Sequence, residues 1–140
     1  MSDTEFQLDP RLQADTQPVA ALPLCDVLLM KDARFAWLIL VPRRPGCSEL
    51  LDLPEDLRPQ LWREIDQAAA ALRDAAPCDK LNVGALGNIV RQLHVHVVAR
   101  QVGDAAWPGP VWGSGAAQAY GDNELSSLLQ ALRRRLAPFA

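Results

Sequence analysis

From Gln92 to Val98 the chain reads Gln-Leu-His-Val-His-Val-Val, and no other stretch narrows its folding options as much. Polar and apolar residues trade places at every second position, which is the period of a β-strand. Gln92, His94 and His96 are therefore expected on one exposed face of a central antiparallel strand, with Leu93, Val95 and Val97 turned into the core. The two histidines are the only ones among 140 residues. A rise of ~3.3 Å per residue sets them ~6.6 Å apart along the backbone, close enough for both rings to reach one phosphate.

The flanking segments supply the rest of a sheet. Leu24 to Met30 and Phe35 to Val41 are short apolar runs separated by Lys31-Asp32-Ala33-Arg34, and they read as a hairpin. Pro42 to Gly46 ends the second strand. Asp52 to Ala76 reads as the main helix, with Asp52 and Glu55 in a capping-box pattern and Leu57, Leu61, Ile65, Ala69 and Leu72 on one stripe. Pro59 conflicts with that start, and Pro77 ends the helix. Leu81 to Leu86 and Ile89 to Ala99 form a second hairpin through a tight turn at Gly87-Asn88. A Gly/Pro/Trp-rich loop with Trp107 and Trp112 follows. Asp122 then caps a last helix with Leu125, Leu128, Leu129, Leu132 and Leu136 on one face. At the start, Phe6 to Thr16 reads as a short helix capped by Asp9 with Pro10 in its first turn, and Gln17 to Pro23 reads as linker. The order hairpin, helix, hairpin, loop, helix indicates a single α+β domain over 1–140 with an antiparallel sheet of about five strands.

Composition removes several classes of function. A net charge of −3 gives no basic face for duplex nucleic acid, and the arginine runs at Arg43-Arg44 and Arg133 to Arg135 read as solvated. No stretch approaches the ~18 apolar residues of a membrane span. The opening MSDTEFQLDPRLQADT has no leader pattern. With three cysteines, Cys25, Cys47 and Cys78, in no metal-type spacing, these features point to a reducing, cytoplasmic setting with free thiols.

Two histidines on one strand face fit three uses. They suit zinc, which wants a third and usually a fourth donor; no third histidine exists and the cysteines lie in other segments, so no metal or other cofactor is expected. They suit an ordinary solvated sheet face. They also suit phosphoryl chemistry, because imidazole titrates near neutrality and one ring can be a nucleophile while its neighbour donates a proton. Spacing alone does not choose among the three.

The longer stretch from Asn82 through Gly84, Gly87-Asn88, Gln92-Leu93-His94-Val95-His96-Val97-Val98 to Arg100 resembles the signature of the histidine triad (HIT) family. In that signature an Asn and glycines precede a glycine-polar turn, followed by His-φ-His-φ-His-φ-φ with φ apolar. Val41-Pro42-Arg43-Arg44 and the helix after it resemble the family layout as well, so the likeness runs from about Leu24 to Arg100. It implies a HIT-like fold that binds a nucleotide, dinucleotide or nucleoside phosphoramidate and acts on the α-phosphate as a metal-independent hydrolase or nucleotidyl transferase.

By the same likeness His94 holds the nucleophile's position and would form a nucleotidyl-histidine intermediate. His96 would bond the phosphoryl oxygens and help protonate the leaving group. Gly87 and Asn88 would contact phosphate. The nucleoside would lie against the first hairpin, at Leu28, Met30 and Trp37, with Lys31 or Asp32 near the ribose. Family members commonly form homodimers, and the apolar stripe of the main helix could supply a face for one or equally be intramolecular core. Two positions depart from the pattern. Gln92 replaces the first histidine and cannot titrate. Ile89 stands where many relatives carry a hydroxyl, a loss of ~0.5–1.5 kcal/mol if that group bonds phosphate. The alternative is therefore a HIT-fold nucleotide-binding or sensor protein with little catalysis, and behind it an interaction protein that only uses the fold.

Overall fold

The computed structural model describes residues 5–140. Its frame is one antiparallel sheet in the order β1-β2-β3-β5-β4, formed by β1 (Thr16–Ala21), β2 (Cys25–Met30), β3 (Ala36–Pro42), β4 (Lys80–Gly84) and β5 (Val95–Arg100). Among the described residues three α-helices accompany it: α1 (Pro10–Asp15), α2 (Arg58–Ala75) and α3 (Asp122–Leu136). The α+β architecture expected from the sequence is the one observed.

Alternation along the two central strands builds two cores, one on each face. Leu38 and Leu40 of β3 join Val95 and Val97 of β5 against Leu61, Ile65, Ala68 and Leu72 of α2 and Leu129, Leu132 and Leu136 of α3. Trp37, Ile39 and Val41 join Val98 on the opposite face, covered by Leu12 of α1, Phe35 and Val111. In register, Ile39 stands opposite His96 and Trp37 opposite Val98. His96 therefore belongs to the second face, under α1 and the long loop, and the helical layer is behind it.

Several boundaries differ from the sequence reading, each for a local reason. Gln17 to Pro23 is mostly not linker: residues 16–21 form β1, paired to β2 with an irregularity between Pro18 and Ala20. Pro18 lacks an N–H, but β1 is an edge strand, where proline is tolerated. The main helix starts at Arg58, with Pro59 in its first turn where no hydrogen bond is lost. Asp52 caps nothing in α2; its Oδ2 accepts from the N–H groups of Ser48 and Glu49 at 3.0 and 2.8 Å and closes a short turn upstream. Asp122 lies inside the first turn of α3 behind Gly121, a place that suits a carboxylate near the helix N-terminus. Asp9 does cap α1, accepting from the Arg11 N–H at 2.9 Å. The arginine runs are not wholly solvated, since Arg43 pairs with Asp26 at 3.1 Å and Arg133 donates to the Pro18 carbonyl at 2.7 Å.

The largest correction concerns the second hairpin. β4 ends at Gly84 and β5 starts at Val95, so residues 85–94 form an irregular connection rather than a tight turn. Gln92 and His94 sit on this connection, and only His96 is within the strand. Gly87 has φ +78°, a left-handed conformation that favours glycine.

Candidate active site

His94 and His96 are 6% and 5% exposed, so the expected open face is in fact a covered one. Their ring centroids are 4.9 Å apart. The cover is the segment between β5 and α3. Trp112 sets its ring edge-on to His96 at 5.3 Å. A Cβ on Gly84 would stand 3.1 Å from that same ring, so the bare backbone of β4 makes room for it. Arg100, 1% exposed, pairs with Asp104 at 2.8 Å and holds the start of the segment. Its guanidinium pulls the Asp104 carboxyl down to about 2. Farther along, Arg34 donates to the carbonyls of Ser114 and Gly115 at 3.2 and 3.3 Å, and the Gln118 N–H donates to Asp32 at 3.2 Å.

Each histidine has its tautomer set by one partner. The indole N–H of Trp37 donates to Nδ1 of His96 at 3.0 Å. Indole only donates, so Nδ1 holds a lone pair and the ring proton of neutral His96 lies on Nε2. His94 is the reverse: its Nδ1 is 2.6 Å from the Gln92 carbonyl, which only accepts, so Nδ1 carries the proton and Nε2 the lone pair. Burial, reinforced by neighbouring His94, pulls the His96 imidazole down to about 4. His96 is therefore neutral at pH 7, and a neutral ring N–H is a hydrogen-bond donor rather than a ready proton source.

Both rings line a cavity of ≈ 580 Å³. Gly87, Asn88, Met30, Lys31, Asp32 and Trp37 line it too, so most residues singled out from the sequence converge there. Leu28 does not; it packs inside the second core. Gln92 instead borders a separate cavity of ≈ 320 Å³, together with His94 and Gly87. Its amide bonds to the N-terminal segment, accepting from the Asp9 N–H at 2.9 Å and donating to the Gln7 carbonyl at 2.8 Å. Asp32 and Lys31 already have partners. Burial raises the Asp32 carboxyl, but its hydrogen bonds from Arg34 and the Gln118 N–H outweigh that and leave it below the usual range. Lys31 donates to the Ala14 carbonyl at 3.2 Å. Ile89, 81% exposed, offers the cavity rim no hydroxyl.

Sequence reasoning missed the roof and one wall. Trp112 was visible in a loop rich in Gly, Pro and Trp, but nothing local said what it would cover. Leu12, Ala14 and Asp15 of α1 line the wall beside Met30, and Arg34 stood in what read as a plain turn. Among the described residues, no group of three or more His, Cys, Asp or Glu is placed to hold a metal ion.

The sheet, the imidazole pair of opposite tautomers and the covered cavity define an α+β domain built around two histidines on its central strand and the connection leading into it. The HIT domain family profile matches residues 11–103, and the chain belongs to the histidine triad family. It is similar to the crystal structure of a histidine triad protein from Bradyrhizobium japonicum, with 49% identity, 93% of this chain and 97% of that one covered, and a TM-score of 0.91. A histidine triad protein from Sinorhizobium meliloti is 45% identical over 96% of this chain and 100% of that one, with a TM-score of 0.92. One from Marinobacter aquaeolei is 42% identical over 96% and 98%, also with a TM-score of 0.92. Comparison with curated proteins gave no match. No helix among the described residues is long and apolar enough to cross a membrane.

Proposed function

We propose that the protein binds a nucleotide derivative in the ≈ 580 Å³ cavity and transfers its nucleotidyl group to His94 and then to water. The observation that carries this reading is the pair of opposite tautomers: a lone pair on Nε2 of His94 beside an N–H on Nε2 of His96. A nucleophile and an oxyanion donor are the two groups that displacement at a phosphorus centre needs. In the first step the His94 lone pair forms a P–N bond to the α-phosphorus, and the bond from phosphorus to the leaving group breaks. The leaving group keeps that electron pair and takes a proton from solvent. In the second step water adds to phosphorus and gives a proton back to solvent, the P–N bond breaks with its electron pair returning to Nε2, and a nucleoside monophosphate leaves with His94 restored. His96 stabilises the phosphoryl oxygens through its N–H. The backbone at Gly87 and the side-chain amide of Asn88 hold the phosphate, and Met30, Lys31, Asp32 and Trp37 receive the nucleoside. The fold of a histidine triad nucleotide-binding protein from Sulfolobus tokodaii is similar, at 16% identity, and agrees with a nucleotide as ligand.

The test is incubation with adenosine and guanosine 5′-phosphoramidates, quenched in alkaline denaturant because a phosphorus–nitrogen bond to histidine hydrolyses in acid, followed by intact mass. One nucleotidyl group should appear on the wild-type chain and none on His94→Ala. Saturable binding without an adduct or product would favour the second reading, a nucleotide sensor, which the engagement of Gln92 elsewhere supports. We also propose a homodimer, supported by apolar side chains left open at Trp62 of α2 and Val83 of edge strand β4, 55% and 46% exposed. Light scattering that gives the monomer mass at all concentrations would remove that part.

A further inference from the structure

We infer that Gln92 is a positioning residue: its side-chain amide fastens the N-terminal segment to the connection that carries His94, so that α1 becomes a fixed wall of the nucleotide cavity. The inference rests on the nucleotide reading above but concerns a different part of the chain. The amide accepts from the Asp9 N–H at 2.9 Å and donates to the Gln7 carbonyl at 2.8 Å. Those two groups flank Leu8 and point the same way, as the N–H and C=O of a strand do toward a paired neighbour. A carboxamide matches them because its oxygen and its N–H lie side by side. The two nitrogens of an imidazole diverge and cannot make this pair of bonds at once. Glutamine at this position is thus suited to holding a backbone, and both ends of its amide are spent on it.

The consequences run in two directions from the clamp. On one side, Phe6 and Leu8 pack against the second core, Asp9 caps α1, and Arg11 donates to the Ile89 carbonyl at 3.1 Å. The segment is therefore tied at two points to the connection that carries Asn88 and His94, and Leu12, Ala14 and Asp15 are presented to the cavity. On the other side, the Gln92 carbonyl accepts from Nδ1 of His94. One residue thereby fixes the wall with its side chain and the nucleophile with its backbone.

The experiment compares wild type, Gln92→Ala, Gln92→His, a chain lacking residues 2–8, and that truncation combined with Gln92→Ala. Calorimetric titration with adenosine monophosphate and hydrogen exchange over residues 10–16 are read on each. Gln92→Ala, Gln92→His and the truncation should each weaken binding about tenfold, the scale of one or two lost hydrogen bonds. The combined variant should be no weaker than either alone, because both changes undo the same contact. In the truncated chain, where Gln92 is intact, KM should rise while kcat holds. Exchange over 10–16 should quicken in both Gln92 variants, with or without nucleotide. Additive losses, an unchanged exchange pattern, or a Gln92→His variant that binds as tightly as wild type would each overturn the inference. Wild type that binds no nucleotide, with exchange still quickened by Gln92→Ala, would overturn the nucleotide reading and leave the clamp standing.

Discussion

His94 and His96 differ in what their neighbours leave free, and their variants should differ accordingly. His94→Ala removes the only lone pair of its kind in the cavity and should abolish adduct formation by intact mass. His96→Ala should slow turnover by roughly 10²–10³, the cost of one oxyanion donor. His96→Gln keeps an N–H near the Nε2 position and should recover part of that loss in kcat/KM. Equal losses in Ala and Gln would mean that His96 acts as an acid, which its neutral state at pH 7 argues against. The sequence supplied both histidines and their pairing, because they fall on alternate residues. It did not supply their tautomers: those depend on Trp37, 59 positions away from His96, and on a backbone carbonyl that no side-chain pattern reveals. Leu28 shows the opposite limit. It shares its strand with Met30 and the same polarity face, yet packs in the core while Met30 reaches the cavity.

Strands and helices with a clean period were readable, and the pieces between them were not. β2, β3 and α3 follow from apolar spacing to within a residue or two at their starts, and α2 does so at its end, its start lying six residues later than the capping pattern at Asp52 indicated. β1 was hidden by Pro18 within it and Pro23 just after it, and the connection over 85–94 looked like a hairpin turn because Gly87-Asn88 is a strong turn pair. The cover over the histidines depends on the Arg100–Asp104 pair and on long-range hydrogen bonds at Arg34 and Asp32 that no local pattern reveals. Asp104→Asn leaves Arg100 charged and buried without a carboxylate, with only the Asn82 amide oxygen still accepting from it, so it should cost ~3 kcal/mol in urea unfolding and weaken nucleotide binding as the start of the segment that carries Trp112 is loosened. A second anchor lies behind the sheet. Glu64 of α2 is fully buried and accepts from the N–H groups of Leu24 and Cys25 at 2.9 and 2.8 Å. Glu64→Leu strands both donors and should cost ~2–4 kcal/mol, with the affinity for adenosine monophosphate unchanged at temperatures where the variant is folded. Loss of affinity equal to that of Asp104→Asn would tie the two faces of the sheet together in a way the separate cores do not suggest.

For the molecule as a whole, burying His96 sets an acid limit on stability. His96 titrates near 6.5 when unfolded and about 4 in the folded chain. Between those values the unfolded chain binds more protons than the folded one, so stability rises with pH across the window. His96 costs nothing above about 6.5, and the loss grows as pH falls toward 4, reaching roughly 3 kcal/mol where both states are protonated. The carboxylates with lowered values, Asp9, Asp32, Asp52 and Asp104, have the same sign but a different range. Their contributions are present above the unfolded carboxylate value near 3.8 and fade only as pH falls below it. Urea unfolding at pH 7, 6, 5 and 4 should therefore show a declining midpoint for wild type across a range where those carboxylates are still ionised. His96→Gln removes the titrating ring and should flatten the decline over that range, whatever its own stability at pH 7. If wild type and His96→Gln lose stability in parallel from pH 6.5 to 4, the acid limit belongs to other groups and the neutral state of His96 loses its support.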